Sequence, residues 1–536
     1  MLKKQTLILI MGSLLLSLKA TQVLYGQTKI AKTDLEIFKI EEAQKIKKLI
    51  AAVEKNPDDM KAHEDYINAM NIYTPEFENR YALWIKRFPK SAIVPFELGK
   101  TYEEHTDPRC TENLRKALKL NPNLAEAWQY LSYYATFVGD KSIAIEYMQR
   151  ATQADPQNAA IAFKYAFLFK NGDQAKYDSL LVDVAHRFPD SEKGIEALWY
   201  LANISFNKNE KTAYYEAVYR MYSKQQSSWF RSVMADYYDY LLNTTPDKAF
   251  DLALRMVLEI KINRGYWKKR LNVARGFVEA DKLLEKNKPD EAADMLKHVN
   301  LGNSKVNGTM IDAEETLALF KAKAADASNK TRDAYDSLAV YYSKQPTDRI
   351  YQTIRTYASK LHIDSAKIDT DIWNIRNKQA WDAGNFTLEN FADHKPVSLS
   401  DYRGRIVLLT YWFPSCGPCR DEFLHFEAIL KKYNTENIAY VAINVSSQED
   451  DYVLPLVKKM GYTFVPLRND QNKKTGNLPD AAHTGAPTNF LIDGRGRVIF
   501  SDFKITDENV HTLELMIAEL CNMGTVQKDE RGIKRE

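Results

Sequence analysis

The chain has 536 residues, of which 45% are hydrophobic and 27% charged, and its formal net charge at pH 7 is +3. This composition is typical of folded soluble protein and excludes disorder as the main state. The small charge excess excludes a dedicated nucleic-acid binder, so we expect no nucleic-acid partner. Four cysteines exclude a disulfide-rich scaffold.

Glycine and proline are scarce and unevenly placed along the chain. There are 20 glycines and 18 prolines, together about 7% of the residues, below the usual sum of about 12%. Ten of the 20 glycines lie in residues 384–536. This distribution predicts long helices first and a turn-rich domain from about Gly384 onward.

The N-terminus has the pattern of a secretory signal peptide over residues 1–26. Lys3 and Lys4 precede the uncharged run 5–18, and a small residue follows at Gly26. The run is shorter than the roughly 20 residues of a membrane span. We therefore expect export, to the periplasm of a Gram-negative bacterium, with no membrane span after signal removal. An uncleaved N-terminal anchor is the alternative.

Prolines recur at a nearly constant interval in the first half of the chain. They stand at Pro57, Pro89, Pro122, Pro156 and Pro189. A period near 34 residues resembles that of tetratricopeptide repeats, which are helix–turn–helix units. The resemblance implies an all-α solenoid over 27–225, with degenerate helical repeats over 226–380. By analogy with other solenoids, the array is expected to bind a protein partner.

The run RIVLLTYWF predicts a buried strand, and a Cys-Gly-Pro-Cys motif follows it almost directly. The next segment is amphipathic, so Cys416 stands where a helix begins. Free N–H groups and the helix dipole stabilise a thiolate there. We expect Cys416 to attack a substrate disulfide and Cys419, one turn on, to resolve the mixed disulfide. A zinc site would need a second Cys or His pair, which is missing, so no metal is expected.

Further elements of the last 150 residues are predicted in chain order. FTLENF and PVSLSDY predict a hairpin, IAYVAINVS a second buried strand, and DDYVLPLVKKM a helix. TGAPTNFLID and RGRVIFSDF predict two more strands, and VHTLELMIAEL a terminal helix.

These segments together resemble the thioredoxin-like domain of TlpA-type thiol-disulfide oxidoreductases. The resemblance covers about 382–522 and implies an α/β thioredoxin fold over 381–524, followed by a polar tail over 525–536. It implies a cis-proline at Pro487 facing the disulfide. It also implies no cofactor other than the redox-active disulfide itself. The residues it places in substrate binding are Trp412, Gly417, Pro418, Ala486 and Thr488.

Three positions depart from thioredoxin proper. Thr410 replaces the buried aspartate of the strand before the motif, and Ser415 stands where a tryptophan often precedes the first cysteine. Glu422 matches a glutamate of cytochrome-maturation relatives, which suggests an acid–base partner for Cys419. The alternative for Glu422 is a solvated carboxylate early in a helix. For Cys110 and Cys521 we expect packing rather than redox roles.

Three functions compete on this basis. The first is an exported thiol-disulfide oxidoreductase, a disulfide reductase by its Gly-Pro dipeptide, acting on protein disulfides or thiols and supplied by an unidentified electron-donor protein. The second is a repeat-based binding scaffold whose thioredoxin-like module senses redox state. The third is a thiol peroxidase, although Phe413 occupies the position where that chemistry needs threonine.

Overall fold

The structure is a computed structural model in which helices precede a sheet-containing domain. It describes residue 41 and residues 43–530, apart from 171, 206, 225–226, 261–263, 303–312, 434–436, 470–474, 480–484 and 507–508. Every strand in these ranges begins at Trp381 or later. The chain divides into two compact units, Met1–Thr136 with Lys141–Gln157, and Phe137–Asp140 with Asn158–Glu536. The expected signal peptide lies outside the described residues.

The first unit consists of consecutive helices separated by short turns. Its helices are α1 (43–55), α2 (Met60–Asn68), α3 (Pro75–Arg87), α4 (Ile93–Glu104), α5 (Cys110–Leu120), α6 (Ala125–Phe137) and α7 (Lys141–Ala154). Pro89, Pro122 and Pro156 each lie two residues beyond a helix end, where a helix cannot continue through proline. The predicted alternation of helix and turn is confirmed, while membership of the tetratricopeptide family stays a prediction.

Aromatic and small residues fill the spaces between these helices. Tyr66, Tyr81 and Trp84 are buried and in mutual ring contact at centroid distances of 4.9–6.3 Å. Ser132 and Ala144 are fully buried, and the Ser132 hydroxyl donates to the Ala144 carbonyl oxygen at 2.7 Å. Two small side chains therefore let α6 and α7 approach closely.

The second unit begins with twelve further helices among the residues the structure describes. They are α8 (Ala159–Phe167), α9 (Gln174–Arg187), α10 (Glu192–Ile204), α11 (Lys208–Tyr222), α12 (Ser228–Thr244), α13 (Pro246–Glu259), α14 (Arg264–Glu285), α15 (Pro289–Lys297), α16 (Glu314–Ala327), α17 (Thr331–Lys344), α18 (Asp348–Lys360) and α19 (Ser365–Gln379). Across the described residues, no helix is long and apolar enough to cross a membrane.

A single eight-stranded sheet follows α19. Its strands are β1 (Trp381–Asp382), β2 (Thr387–Asn390), β3 (Pro396–Ser398), β4 (Ile406–Trp412), β5 (Ile438–Asn444), β6 (Val465–Arg468), β7 (Thr488–Ile492) and β8 (Arg497–Phe503), in the order β1-β8-β7-β4-β5-β6-β2-β3. Strands β4, β5 and β6 are parallel, and the other pairs are antiparallel. The intervening helices are α20 (Gly417–Leu430), α21 (Asp450–Met460) and α22 (Val510–Glu530).

Strand β4 lies in the middle of this sheet and is buried along its whole length. Alternate side chains enter two separate cores. Leu408 and Trp412 pack with residues of α20, α21 and α22, whereas Leu409 and Tyr411 pack on the opposite face. Burial on both faces explains why the sequence of this strand is a continuous apolar run.

The predicted strands, hairpin and helices of this domain are all confirmed. Strands β1 and β6 were not predicted, because their two and four residues are too few to give a periodic pattern. Helix α22 continues to Glu530, beyond the predicted domain end at 524, and residues 531–536 lie outside the described residues.

A buried ion pair ties α19 to the sheet domain. The Arg376 side chain is 1% exposed and pairs with Glu519 of α22. Its guanidinium also donates to the carbonyl oxygens of Tyr342 and Ser343 at 3.1 and 2.9 Å, and it lies 4.3 Å from the ring centroid of Phe500 in β8. Helix α19 is thereby an integral part of the second unit.

We predict that R376M lowers the free energy of unfolding by about 3–5 kcal/mol, because it leaves the Glu519 carboxylate buried without its partner. The double variant R376M/E519M should recover most of this loss. Urea unfolding measures the free energy of unfolding of both variants. The control is R332M, which breaks the exposed Arg332–Asp336 pair and should cost no more than about 1 kcal/mol. A double variant as unstable as R376M would contradict the explanation.

Candidate functional site

The Cys-X-X-Cys motif lies at the junction of β4 and α20. Cys416 is the N-cap residue of α20, and it forms a disulfide with Cys419 across a Cα–Cα distance of 5.4 Å. The Cys419 N–H donates to the Cys416 sulfur at 3.2 Å. Cys416 is 4% exposed and Cys419 fully buried, while Gly417 and Pro418 between them are exposed. Of the two sulfurs, that of Cys416 therefore lies nearer to the surface.

Pro487 lies beside the strand end from which this turn departs. The Ala486–Pro487 peptide bond is cis. Thr488 stands opposite Tyr411 in the antiparallel pairing of β7 with β4, so Pro487 falls next to the end of β4. Ala486 is half-buried and packs against the core cluster that contains both cysteines.

Two residues expected to bind substrate are buried instead. Trp412 is fully buried and in ring contact with Phe423 and Phe464 at centroid distances of 5.3 and 5.2 Å. Thr488 is 5% exposed, and its hydroxyl donates to the Gly485 carbonyl oxygen at 3.1 Å. Both side chains are therefore part of the core beneath the site, and their role in substrate binding stays a prediction.

Glu422 is buried and is not the solvated carboxylate of the alternative prediction. Only 4% of it is exposed. One carboxylate oxygen accepts from Asn489 Nδ2 at 2.8 Å, and the other accepts from the Ile505 N–H at 2.9 Å. Burial raises the pKa of Glu422, and these two hydrogen bonds oppose the rise. The group is therefore more readily protonated near neutral pH than an ordinary glutamate.

Asn489 is a site residue that the sequence analysis missed. It is fully buried, faces Thr410 across the β4–β7 pairing, and also donates to the Phe503 carbonyl oxygen at 2.9 Å. One signal was available in the sequence, since Asn489 is the polar exception in the apolar stretch before Ile492. Thr410, which replaces the thioredoxin aspartate, is fully buried as well.

The remaining cysteines, Cys110 and Cys521, are free thiols. Cys110 begins α5 in the first unit and is fully buried, and burial raises its pKa to about 12. Cys521 on α22 is half-buried, and burial raises the pKa of its thiol too. In both residues the raised pKa favours the protonated thiol over the reactive thiolate. In the described part of the chain, no group of three His, Cys, Asp or Glu side chains is arranged to hold a metal ion.

The sheet, the helix-capping cysteine pair and the cis-proline together define a thioredoxin-like domain with a vicinal dithiol. Residues 380–501 match the model of the AhpC/TSA family. Thiol-disulfide oxidoreductase ResA of Bacillus subtilis (strain 168) is 32% identical over 118 residues, which is 22% of this chain and 63% of that protein. Thioredoxin-like protein YneN of the same strain is 33% identical over 116 residues, 21% of this chain and 65% of that protein.

The family match lies in the C-terminal domain, and the chain spans less than two thirds of the length of these relatives. Among solved structures, a thiol:disulfide interchange protein DsbE from Chlorobium tepidum is 27% identical, covering 26% of this chain and 96% of that chain with a TM-score of 0.23. The C-terminal domain therefore matches the AhpC/TSA family model and is similar in sequence to thiol-disulfide oxidoreductases.

We predict that Glu422 makes the stability of this domain depend on pH. Because its pKa is raised in the folded state, folding becomes less favourable as pH rises from the unfolded value of about 4.3 through the folded value. The destabilisation is complete above that window and absent below it. The difference between the urea midpoints of wild type and E422Q, taken as wild type minus variant, should decrease as pH rises across this range. A difference that stays constant with pH would contradict the assignment.

Cys110 gives a prediction for thiol reactivity. In the chemically reduced protein at pH 8, iodoacetamide should modify Cys416 while leaving Cys110 unmodified, because the Cys110 thiol is fully buried and its pKa is about 12. Mass spectrometry of the cysteine-containing peptides measures the extent of modification of Cys416 and Cys110 in one sample. In 6 M urea the two should react alike, and unequal reaction there would show a cause other than folding.

Proposed function

We propose that this protein is a thiol-disulfide oxidoreductase that acts on protein disulfides or thiols through Cys416 and Cys419. The observation that carries the proposal is the Cys416–Cys419 disulfide at the N-terminus of α20, beside the cis bond of Pro487. The N–H groups of the first helical turn stabilise a thiolate at this position. The homology of the domain to thiol-disulfide oxidoreductases supports the same chemistry.

In the reducing direction, the dithiol form starts the reaction. The Cys416 thiolate attacks one sulfur of a substrate disulfide, the substrate S–S bond breaks, and a mixed disulfide forms. The Cys419 thiolate then attacks the Cys416 sulfur, which releases the substrate as a dithiol and leaves the Cys416–Cys419 disulfide. Two electrons move to the substrate. A thiol-bearing donor protein must return two electrons to the pair before the next cycle.

Glu422 is the proposed acid–base group for Cys419. It follows Cys419 by three residues on α20, so the two side chains lie on one face of the helix. Resolution requires the Cys419 thiol to lose a proton, and a buried carboxylate with a raised pKa can accept it and later return it. Asn489 and the Ile505 N–H hold the carboxylate in place.

The substrate-binding surface proposed here is formed by the exposed residues of the motif and by the backbone before Pro487. Gly417 and Pro418 are exposed next to Cys416, and Ala486 presents backbone groups to an extended substrate chain. The Gly-Pro dipeptide favours a reductase. Export to the periplasm and binding of a protein partner by the helices of residues 27–380 belong to the same proposal.

The test is a redox titration against glutathione combined with an insulin-reduction assay. A reversible couple near the thioredoxin value of about −270 mV supports the reductase, and C416S should abolish insulin reduction. In C419S, Cys416 should still attack the substrate disulfide, and the mixed disulfide should accumulate. It is visible as a mass increase that dithiothreitol removes. A potential near about −120 mV would reverse the proposed direction. A pair that never cycles would contradict the enzyme.

Peroxide consumption separates the proposal from thiol peroxidase activity. Phe413 occupies the position at which that chemistry needs a hydroxyl donor, and it is half-buried. We expect no peroxidase turnover under conditions in which insulin reduction proceeds. Rapid peroxide consumption lost in C416S would favour the peroxidase instead.

A further inference from the structure

A second carboxylate, that of Glu449, contacts the turn that carries Cys416. One oxygen of Glu449 accepts from the Ser415 backbone N–H at 2.7 Å, and the other accepts from the Ser415 hydroxyl at 2.9 Å. Both oxygens are thus used on the residue directly before the nucleophile. The turn is closed on its other side by the Cys416 N–H, which donates to the Phe413 carbonyl oxygen at 3.0 Å.

The segment that carries Glu449 is itself fixed. It follows β5, and the Val445 N–H donates to the Trp412 carbonyl oxygen at 2.8 Å, which extends the pairing with β4. The buried Asn444 side chain donates to the Ser446 carbonyl oxygen at 2.9 Å and to Asp450 at 2.8 Å. Asp450 also pairs with Arg468 of β6 at 3.2 Å. These contacts present the Glu449 carboxylate to Ser415 in one defined position.

We propose that Glu449 is a positioning residue for Cys416, which fixes the Pro414–Ser415 turn through two hydrogen bonds and holds a negative charge beside the nucleophilic sulfur. The proposal rests on the proposed redox function. Ser415 supplies both of the donors that the carboxylate uses. A fixed negative charge near a thiol disfavours its thiolate and counteracts the helix N-terminus.

The remaining charged groups of the elements around the turn have to be considered with Glu449. They include Arg420, Asp421, Glu422 and His425 on α20, Asp450 at the start of α21, Arg468 on β6, Lys504 after β8 and Lys170 after α8. All of them stay unchanged when Glu449 alone is substituted. A change in the reactivity of Cys416 in such a variant therefore reports on Glu449.

The decisive variant is E449Q, which removes the charge and keeps the hydrogen bonds. The amide oxygen can accept from the Ser415 N–H, and the amide NH2 can donate to the Ser415 hydroxyl, which accepts as readily as it donates. E449A removes both the charge and the two hydrogen bonds. The comparison of these variants separates the effect of charge from that of turn geometry.

The chain offers a matched control in Glu427. Its two carboxylate oxygens accept from the Thr463 N–H at 2.6 Å and from the Thr463 hydroxyl at 2.8 Å. This is the same pair of contacts in the same domain, but it lies further along α20, away from the cysteines. E427Q therefore controls for the loss of one such carboxylate without a change beside Cys416.

The experiment is the pH profile of alkylation of Cys416 in the chemically reduced full chain, followed by mass spectrometry. We expect E449Q to alkylate about threefold faster than wild type in the acidic limb of the profile, the size expected from one removed like charge near a thiol, with the midpoint displaced to lower pH. E427Q should coincide with wild type. E449A should show the same displacement together with slower insulin reduction than E449Q.

The outcomes distinguish this proposal from the function on which it rests. Coincident profiles of E449Q, E427Q and wild type would overturn the role of the Glu449 charge. Equal insulin reduction by E449A and E449Q would overturn the role of its hydrogen bonds. Alkylation after chemical reduction does not require turnover, so a wild type that fails to cycle with glutathione would contradict the oxidoreductase while the pH profile still decides the role of Glu449.

Discussion

The central position of β4 determines the geometry of the redox site. It pairs with β5 in parallel on one side and with β7 in antiparallel on the other. The C-terminal ends of β4 and β5 and the start of β7 therefore meet at one edge of the sheet. The cysteine turn, the Glu449 segment and Pro487 follow or precede those strand ends directly. Three functional segments far apart in the sequence are brought together by strand pairing alone.

Two buried charged side chains of the second unit, Glu422 and Arg376, each have specific partners. Glu422 would be costly to bury alone, but Asn489 and the Ile505 N–H occupy its two oxygens. Arg376 is held by Glu519 and by two backbone carbonyl groups. The first arrangement leaves a carboxyl with a raised pKa next to the redox helix. The second arrangement attaches α19 to the sheet domain, because it joins α19 to α22 and β8.

The sequence was informative where one element carries its own signal. The continuous apolar run of β4 and the motif after it were sufficient to predict the buried strand, the helix start and the cysteine pair. The burial of Glu422 was not predictable, because the groups that bury it come from β7 and from the chain after β8. The same holds for the Arg376–Glu519 pair, whose members are 143 positions apart in the sequence. Long-range partners leave no local pattern.

The two carboxylates of the site have different chemical consequences because their surroundings differ. Glu422 is buried, with a raised pKa, on the side of Cys419, where resolution requires a proton to move. Glu449 is partly exposed and contacts the residue before Cys416, where attack requires a thiolate. In the proposed role of Glu449, its charge opposes the thiolate that the helix N-terminus favours. A nucleophile whose thiol is not excessively acidic keeps more intrinsic nucleophilicity, which suits the proposed transfer of electrons to substrate disulfides.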